Sequence, residues 1–458
     1  MKRDDSSDGN LLDDAARRAK RYLDTLDARP VAPSSAAIAR LAELDVPLPR
    51  ESTPADRVLA ELDELVSPAT MAMAGRRFFG FVIGGALPVS LAANWLASTW
   101  DQNAALARVT PGVARLEIVA LRWLIELFAL PAGTEGAFVT GATMANFTAL
   151  AAARHHVLNQ VGWSVEADGL FGAPPITVVI GEEAHPTLIK SLGLLGLGRR
   201  RVVRVPVDGQ GRMRADRFPK LANSPAIICL QAGNLNSGAF DPCTDICELA
   251  HAAGAWVHVD GAFGLWARTV PELSALTTGI ELADSWATDA HKWLNVPYDC
   301  GVALVREPGA LPAAMAVTAD YLPTESSERN PADFTPELSR RARGVEVWAA
   351  LRSLGRDGLS AMIGKNVRQA QLFAERLAAA GYEILNDVVL NQVLVSFGSA
   401  EQTLRTIEAV QRDGTCWCGS TVWQGRTAMR ISVSSWATTD ADVELSVQAI
   451  IRAARGAG

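Results

Sequence analysis

Lys292 follows His291 directly in the run Ser285-Trp286-Ala287-Thr288-Asp289-Ala290-His291-Lys292-Trp293. A lysine placed there, ahead of the apolar run Gly301–Val305, suits a half-buried amine, the kind that forms a Schiff base with a carbonyl compound. Taken alone, the pair reads equally well as a surface His-Lys dipeptide. Upstream, Trp256-Val257-His258-Val259-Asp260-Gly261-Ala262 is an apolar strand ending in a carboxylate. Ligands of α/β sheets bind at the carboxyl ends of parallel strands, although Asp before Gly is also a common turn acid. Phe138-Val139-Thr140-Gly141-Ala142-Thr143-Met144-Ala145-Asn146 reads as a strand, a small polar turn and a helix start. The backbone N–H groups of such a turn, with the Thr143 hydroxyl beside them, suit a phosphate. His185, in Gly181-Glu182-Glu183-Ala184-His185-Pro186-Thr187, follows the run Ile176–Ile180 and falls at the same sheet edge. Each piece is weak by itself. Their order is what pyridoxal 5'-phosphate asks for: a phosphate seat, a carboxylate that keeps the pyridine nitrogen protonated, and an amine.

The elements that must position these residues follow from pattern. Helical stretches such as Ala114–Phe128 and Ala145–Leu158 alternate with short β-branched runs at Ile176–Ile180, Arg201–Val205, Ala226–Leu230, Ala255–Val259 and Gly301–Val305. Such alternation predicts an α/β fold with a mainly parallel, doubly covered sheet. The chain divides into a polar helical arm or dimerisation segment (1–75), a large domain (76–320), and a loop, long helix and smaller α+β unit (321–458). The long helix is expected over Arg341–Leu354, and the strands of the small unit at Val388–Phe397 and Ala428–Val433.

With these motifs in place, the sequence resembles the group II pyridoxal-phosphate decarboxylases, the family of aromatic-amino-acid, glutamate, histidine and diaminobutyrate decarboxylases. The similarity runs from about residue 76 through 458 and is densest at Thr140–Leu150, His185–Gly198, His258–Trp266, Asp284–Gly301 and Ser339–Gly355. The resemblance implies a type I pyridoxal-enzyme (aspartate-aminotransferase-like) fold, working as a homodimer with active sites at the subunit interface. It implies that Lys292 carries the cofactor, Asp260 pairs with the pyridine nitrogen, His185 stacks on one ring face and Ala262 lies on the other. Gly141, Ala142, Thr143 and His291 would hold the phosphate, and Asn234 would sit near the ring hydroxyl. The implied reaction is decarboxylation of an L-amino acid to its amine.

The family's loop ahead of the long helix carries a tyrosine that protonates the decarboxylated carbon. The matching loop here, Leu322–Arg340, contains none of the four tyrosines (Tyr22, Tyr298, Tyr321, Tyr382); Phe334 stands in the corresponding place and Tyr321 borders the loop. Loss of that donor opens a second reading, in which oxygen intercepts the carbanion and the products are an aldehyde, ammonia and peroxide. Arg430 reads as structural, which leaves transamination a minor alternative, and a non-catalytic homologue has no need of His185, Asp260, His291 and Lys292. Phe78, Phe79, Phe81 and Trp95 are candidate pocket residues, competing with an ordinary core role. The run Phe78–Val82 leans toward an aromatic or otherwise apolar substrate.

Bulk properties bound the rest. The 458 residues are 49% hydrophobic and 20% charged, with net charge −7, which gives no footprint for nucleic acid or an anionic membrane. Six scattered cysteines favour a reducing, cytoplasmic setting, and neither they nor the six histidines have a metal-ligand spacing, so no metal is expected. Met1-Lys2-Arg3 runs into acidic residues with no apolar stretch, which reads as the absence of a signal peptide.

Overall fold

The computed structural model describes residues 5–222, 224–317 and 329–456, with side chains from residue 10. A seven-stranded sheet is built from β1 (Glu135–Val139), β2 (Thr177–Gly181), β3 (Val203–Val205), β4 (Ala226–Gln231), β5 (Trp256–Asp260), β6 (Ser285–Asp289) and β7 (Gly301–Val305), in the order β1-β7-β6-β5-β4-β2-β3. The block from β3 to β6 is parallel, and β7 runs antiparallel to both β1 and β6.

Both faces are covered, as the apolar strands require. Val178, Ile180, Ile227 and Cys229 pack with Leu150, Val157 and Leu192 on one side. Their neighbours Val179, Ile228, Leu230, Val257 and Val259 pack with Leu124, Ile246, Trp286 and the long helix on the other. That helix spans Gly344–Ala379 and is interrupted at Gly355, whose φ is +61°; the expected Arg341–Leu354 covers only the shorter part ahead of that break.

The smaller antiparallel sheet has the order β10-β11-β9-β8, from β8 (Glu383–Ile384), β9 (Gln392–Ser396), β10 (Gly419–Trp423) and β11 (Arg426–Ser432). The fold is therefore the α/β large domain with a smaller α+β unit that the sequence predicts. Sequence pattern misses β8, β10 and the strand Ser285–Asp289. Ser285–Asp289 is hydrogen-bonded on both sides, to β5 and β7, and buries Trp286 in the core. No helix among the described residues is long and apolar enough to cross a membrane.

A strap joins the two sheets. Phe79 N–H donates to Trp417 O (2.8 Å), Trp417 N–H to Arg77 O (3.1 Å), and Ser432 N–H to Phe79 O (3.0 Å), which fixes the strap's start to the small sheet. Its far end meets the large domain, where Leu87 N–H donates to Asn295 O (2.8 Å). Between these points Gly84, at φ +76°, lies so close that a Cβ would stand 1.9 Å from the Lys292 carbonyl oxygen. Only glycine meets both conditions.

Candidate active site

The carboxyl ends of β4, β5 and β6 deliver Gln231, Asp260 and Asp289 to one cavity of about 470 Å³. Thr140, Gly141, Ala142, Thr143, His185, Ala262, His291 and Lys292 line the same cavity, with Phe81, Val82 and Ile83 of the strap. Parallel strands end side by side, so residues far apart in the chain converge there.

Lys292 lies in the single helical turn Ala290–Trp293 that caps β6, and its Nζ is 3.0 Å from Asp289 Oδ2. The other oxygen of Asp289 accepts the Ala142 N–H at 2.6 Å. Asp289 thus ties the lysine to the phosphate turn, and sequence reasoning did not single it out. The available signal was its place as a strand-end carboxylate three residues before the lysine, on the same helical face.

His291 accepts the Cys300 N–H on Nδ1 (3.1 Å), which leaves the proton of the neutral ring on Nε2. The ring lies against Tyr298, centroids 4.1 Å apart, and burial pushes its pKa down. His185 accepts the Thr187 N–H on Nδ1 (3.2 Å). Burial lowers its pKa too, against the pull of Asp260 and with the push of Lys292 and Arg430. Asp260 is 5% exposed and accepts hydrogen bonds from Asn146 Nδ2 (3.1 Å) and Ala262 N–H (3.3 Å). Burial raises its pKa, while the charges of His185 and Lys292 and the Asn146 hydrogen bond oppose the rise.

These residues fit pyridoxal phosphate. Asp260 is a buried carboxylate on the cavity wall with no cation in ion-pair contact among the described residues, which is a place for a protonated ring nitrogen. At Gly141 a Cβ would meet His291 Cε1 at 3.3 Å and Asp289 Oδ1 at 3.5 Å, so the bare backbone keeps the phosphate turn open.

Other expected residues lie elsewhere. Asn234 does not line the cavity. Its amide donates to Glu183 Oε2 (3.1 Å), and its oxygen accepts the Asn236 (2.8 Å) and Ser237 (3.1 Å) N–H groups, so its own turn holds it away. Phe334 is buried in the core beside Leu311, under the Arg329 guanidinium (3.6 Å from the ring centroid), and does not face the cavity either. The apolar packing of its 3-10 turn explains its aromatic character. Tyr321 and residues 322–328 lie outside the described residues. Phe78 stacks on Trp417, Phe79 meets Phe373 edge to face, and Trp95 is exposed, so of those four aromatics only Phe81 reaches the cavity. Arg430 also departs from expectation: it lines the cavity, with Nη1 donating to Leu235 O at 3.2 Å.

A half-buried lysine at the sheet edge, sharing its cavity with a buried strand-end carboxylate, suits a pyridoxal-phosphate site. The profile of the pyridoxal-dependent decarboxylase conserved domain matches residues 39–398. Tryptophan decarboxylase 1 of Oryza sativa subsp. japonica is 26% identical over 455 residues, covering 90% of this chain and 87% of that protein. 4-Hydroxyphenylacetaldehyde synthase of Rhodiola rosea is 26% identical over 383 residues, covering 78% and 75%. The crystal structure of Oryza sativa TDC with PLP and tryptamine superposes with a TM-score of 0.91 at 23% identity, covering 100% and 99% of the two chains. The chain belongs to the pyridoxal-dependent decarboxylase family: its cofactor is pyridoxal phosphate and its reaction is the decarboxylation of an amino acid.

Proposed function

We propose that this chain decarboxylates an aromatic or otherwise apolar L-amino acid to its amine, as a cytoplasmic homodimer with active sites at the subunit interface. The observation that carries the substrate class is the cavity wall of Phe81, Val82 and Ile83, which stands in the same cavity as Lys292 and Asp260. The acceptance of tryptophan by the rice relative named above supports the aromatic lean.

When bound, pyridoxal phosphate supplies a protonated ring that accepts the electron pair left as carbon dioxide departs. Lys292 Nζ would be the covalent attachment point for the cofactor. Asp260 would keep the proton on the ring nitrogen, and His185 and Ala262 would hold the ring between them. Gly141, Ala142, Thr143 and His291 would seat the phosphate; because Asp289 takes the Ala142 N–H, the role of Ala142 there would be shape. Arg430, whose pKa burial lowers, still carries its charge and draws the substrate carboxylate into the cavity. The apolar wall then disfavours that carboxylate against neutral carbon dioxide. Lys292 and His185 are the groups placed to return a proton to the substrate carbon.

All six cysteines are buried thiols, which supports a reducing compartment. Exposed Trp95, Leu96, Trp100 and Val109 support a partner surface. The N-terminal arm (1–75) is assigned to dimerisation, ahead of the large domain (76–320) and the C-terminal unit (321–458).

The test is to incubate the cofactor-loaded protein in air with a panel of L-amino acids and identify the products by mass spectrometry. An aromatic amine, with one carbon dioxide lost and none formed by colourless Lys292→Ala, supports the reading. An aldehyde with ammonia and peroxide, or turnover confined to acidic or basic substrates, overturns it.

A further inference from the structure

Behind Asp260 runs a file of buried polar groups that the mechanism above does not use. Asp260 Oδ2 faces Asn146 Nδ2 (3.1 Å), Asn146 Oδ1 faces His258 Nε2 (2.8 Å), His258 Nδ1 faces Ser285 Oγ (2.9 Å), and Ser285 Oγ faces Trp256 Nε1 (2.9 Å). Asn146, His258 and Ser285 are fully buried, Trp256 nearly so, and none of the four lines the cavity. Asn146 comes from the helix Ala142–Asn159, Trp256 and His258 from β5, and Ser285 from β6.

The direction of every proton in this file is determined from its far end. An indole N–H can only donate, so Ser285 Oγ accepts from Trp256; His258 Nδ1 is the acceptor in reach of the buried Ser285 hydroxyl proton, so satisfying that proton makes Ser285 the donor to His258. The neutral imidazole then carries its proton on Nε2 and donates it to Asn146 Oδ1. That contact fixes the amide, which must turn its NH2 group, and not its oxygen, toward Asp260. All donors point one way, toward the carboxylate. Burial alone favours a protonated Asp260, and a protonated Asp260 cannot hold a cation.

We infer that Trp256, Ser285, His258 and Asn146 form a one-way hydrogen-bond relay that keeps Asp260 anionic, so that it can hold the protonated ring nitrogen of the cofactor. These are positioning residues, and the inference rests on the reading of Asp260 as the partner of that nitrogen. Without the relay the Asn146 amide is free to flip and present its oxygen to the carboxylate, which turns an attraction into a repulsion.

The experiment measures equilibrium dissociation constants of the cofactor-stripped full chain by absorbance titration. The two ligands are pyridoxal phosphate and its analogue with CH in place of the ring nitrogen. The variants are His258→Leu, His258→Gln, Ser285→Ala and Asp260→Asn, with folding checked by circular dichroism. In His258→Gln the amide nitrogen takes the place of Nε2 and remains a donor. Loss of a hydrogen bond that supports a charge predicts about tenfold weaker pyridoxal phosphate binding in His258→Leu and Ser285→Ala. The analogue should bind these variants as it binds the parent, and His258→Gln should stay within about threefold of the parent for both ligands. Ser285→Ala removes one oxygen and keeps the test open if His258→Leu does not fold. Equal weakening for both ligands, or for neither, overturns the relay. If Asp260→Asn also fails to separate the two ligands, the reading of Asp260 falls first and the relay with it; if only Asp260→Asn separates them, the relay alone is wrong.

Discussion

His258 is neutral in the folded chain, because full burial pushes its pKa down to about 3. An unfolded histidine takes up a proton below about pH 6.5. Between those values the unfolded state binds more protons, so stability rises with pH through this window and is lost as pH falls through it. The group's contribution is intact above about pH 6.5 and smaller by about 2 kcal/mol at pH 5. His258→Gln, which does not titrate, is expected to narrow the difference between urea midpoints measured at pH 7 and pH 5. An unchanged difference would show that other groups govern the acid limb. The same residue shows what sequence could reveal. Lys292, Asp260 and His185 were legible because each ends or follows an apolar strand, and strand ends are where chemistry gathers. Asn146, Ser285 and Asp289 looked like ordinary helix and loop residues, since their meaning lies in partners on other elements. Asn234 fitted a motif by position, but side-chain direction is set by local turn bonding that no spacing reports.

The elements show the same divide. The strands of the large sheet with β-branched runs were readable to within about two residues and β9 less closely, its expected start at Val388 lying ahead of Gln392, whereas β6 was missed because its residues show no hydrophobic period. The strap could not be foreseen at all, since its shape depends on Trp417 and Ser432, more than half the chain away. Trp417 stacks on Phe78 (5.1 Å) and Phe81 (6.0 Å). Trp417→Ala is therefore expected to raise KM roughly fivefold, the worth of an aromatic stack, with kcat little changed because Lys292 and Asp260 stay in place. A fall in kcat alone would place Phe81 in the chemical step instead. The end of the loop before the long helix is held by Arg340, fully buried, whose Nη1 meets Glu117 Oε2 at 2.8 Å and Ala104 O at 2.9 Å. Removing one member of a buried ion pair strands the other charge, so Glu117→Ala should cost about 3–5 kcal/mol by chemical denaturation. Glu117→Leu combined with Arg340→Leu should recover most of it; no recovery would mean that the backbone bonds of Arg340, not the pair, supply the stability.

At the scale of the whole molecule, the exposed face of the helix Pro88–Trp100 presents Trp95 (42% exposed), Leu96 and Trp100. Apolar groups of this size on one helix are normally covered. Light scattering should give the mass of two chains for the parent and of one for Trp95→Glu with Trp100→Glu, and the variant should lose activity with the interface. A dimer that survives both changes would move the interface elsewhere. The general architecture was readable at this scale because alternating strands and helices leave few topologies, but the joining of its two sheets was not.

The strap also imposes an order on biosynthesis. A chain leaves the ribosome from its N-terminus at about 5–20 residues per second, and Lys292, Asp260 and the phosphate turn emerge well before the end. The wall from Phe81 to Ile83 is made earlier still, yet Trp417 and Ser432, which fix the start of its strap, are made after Lys292 and all the groups that would hold the cofactor. A nascent chain can therefore hold every group that grips the cofactor while lacking the wall that faces the substrate. Competence for cofactor precedes competence for substrate, and truncation a few dozen residues short of the C-terminus should yield a chain with the first and not the second.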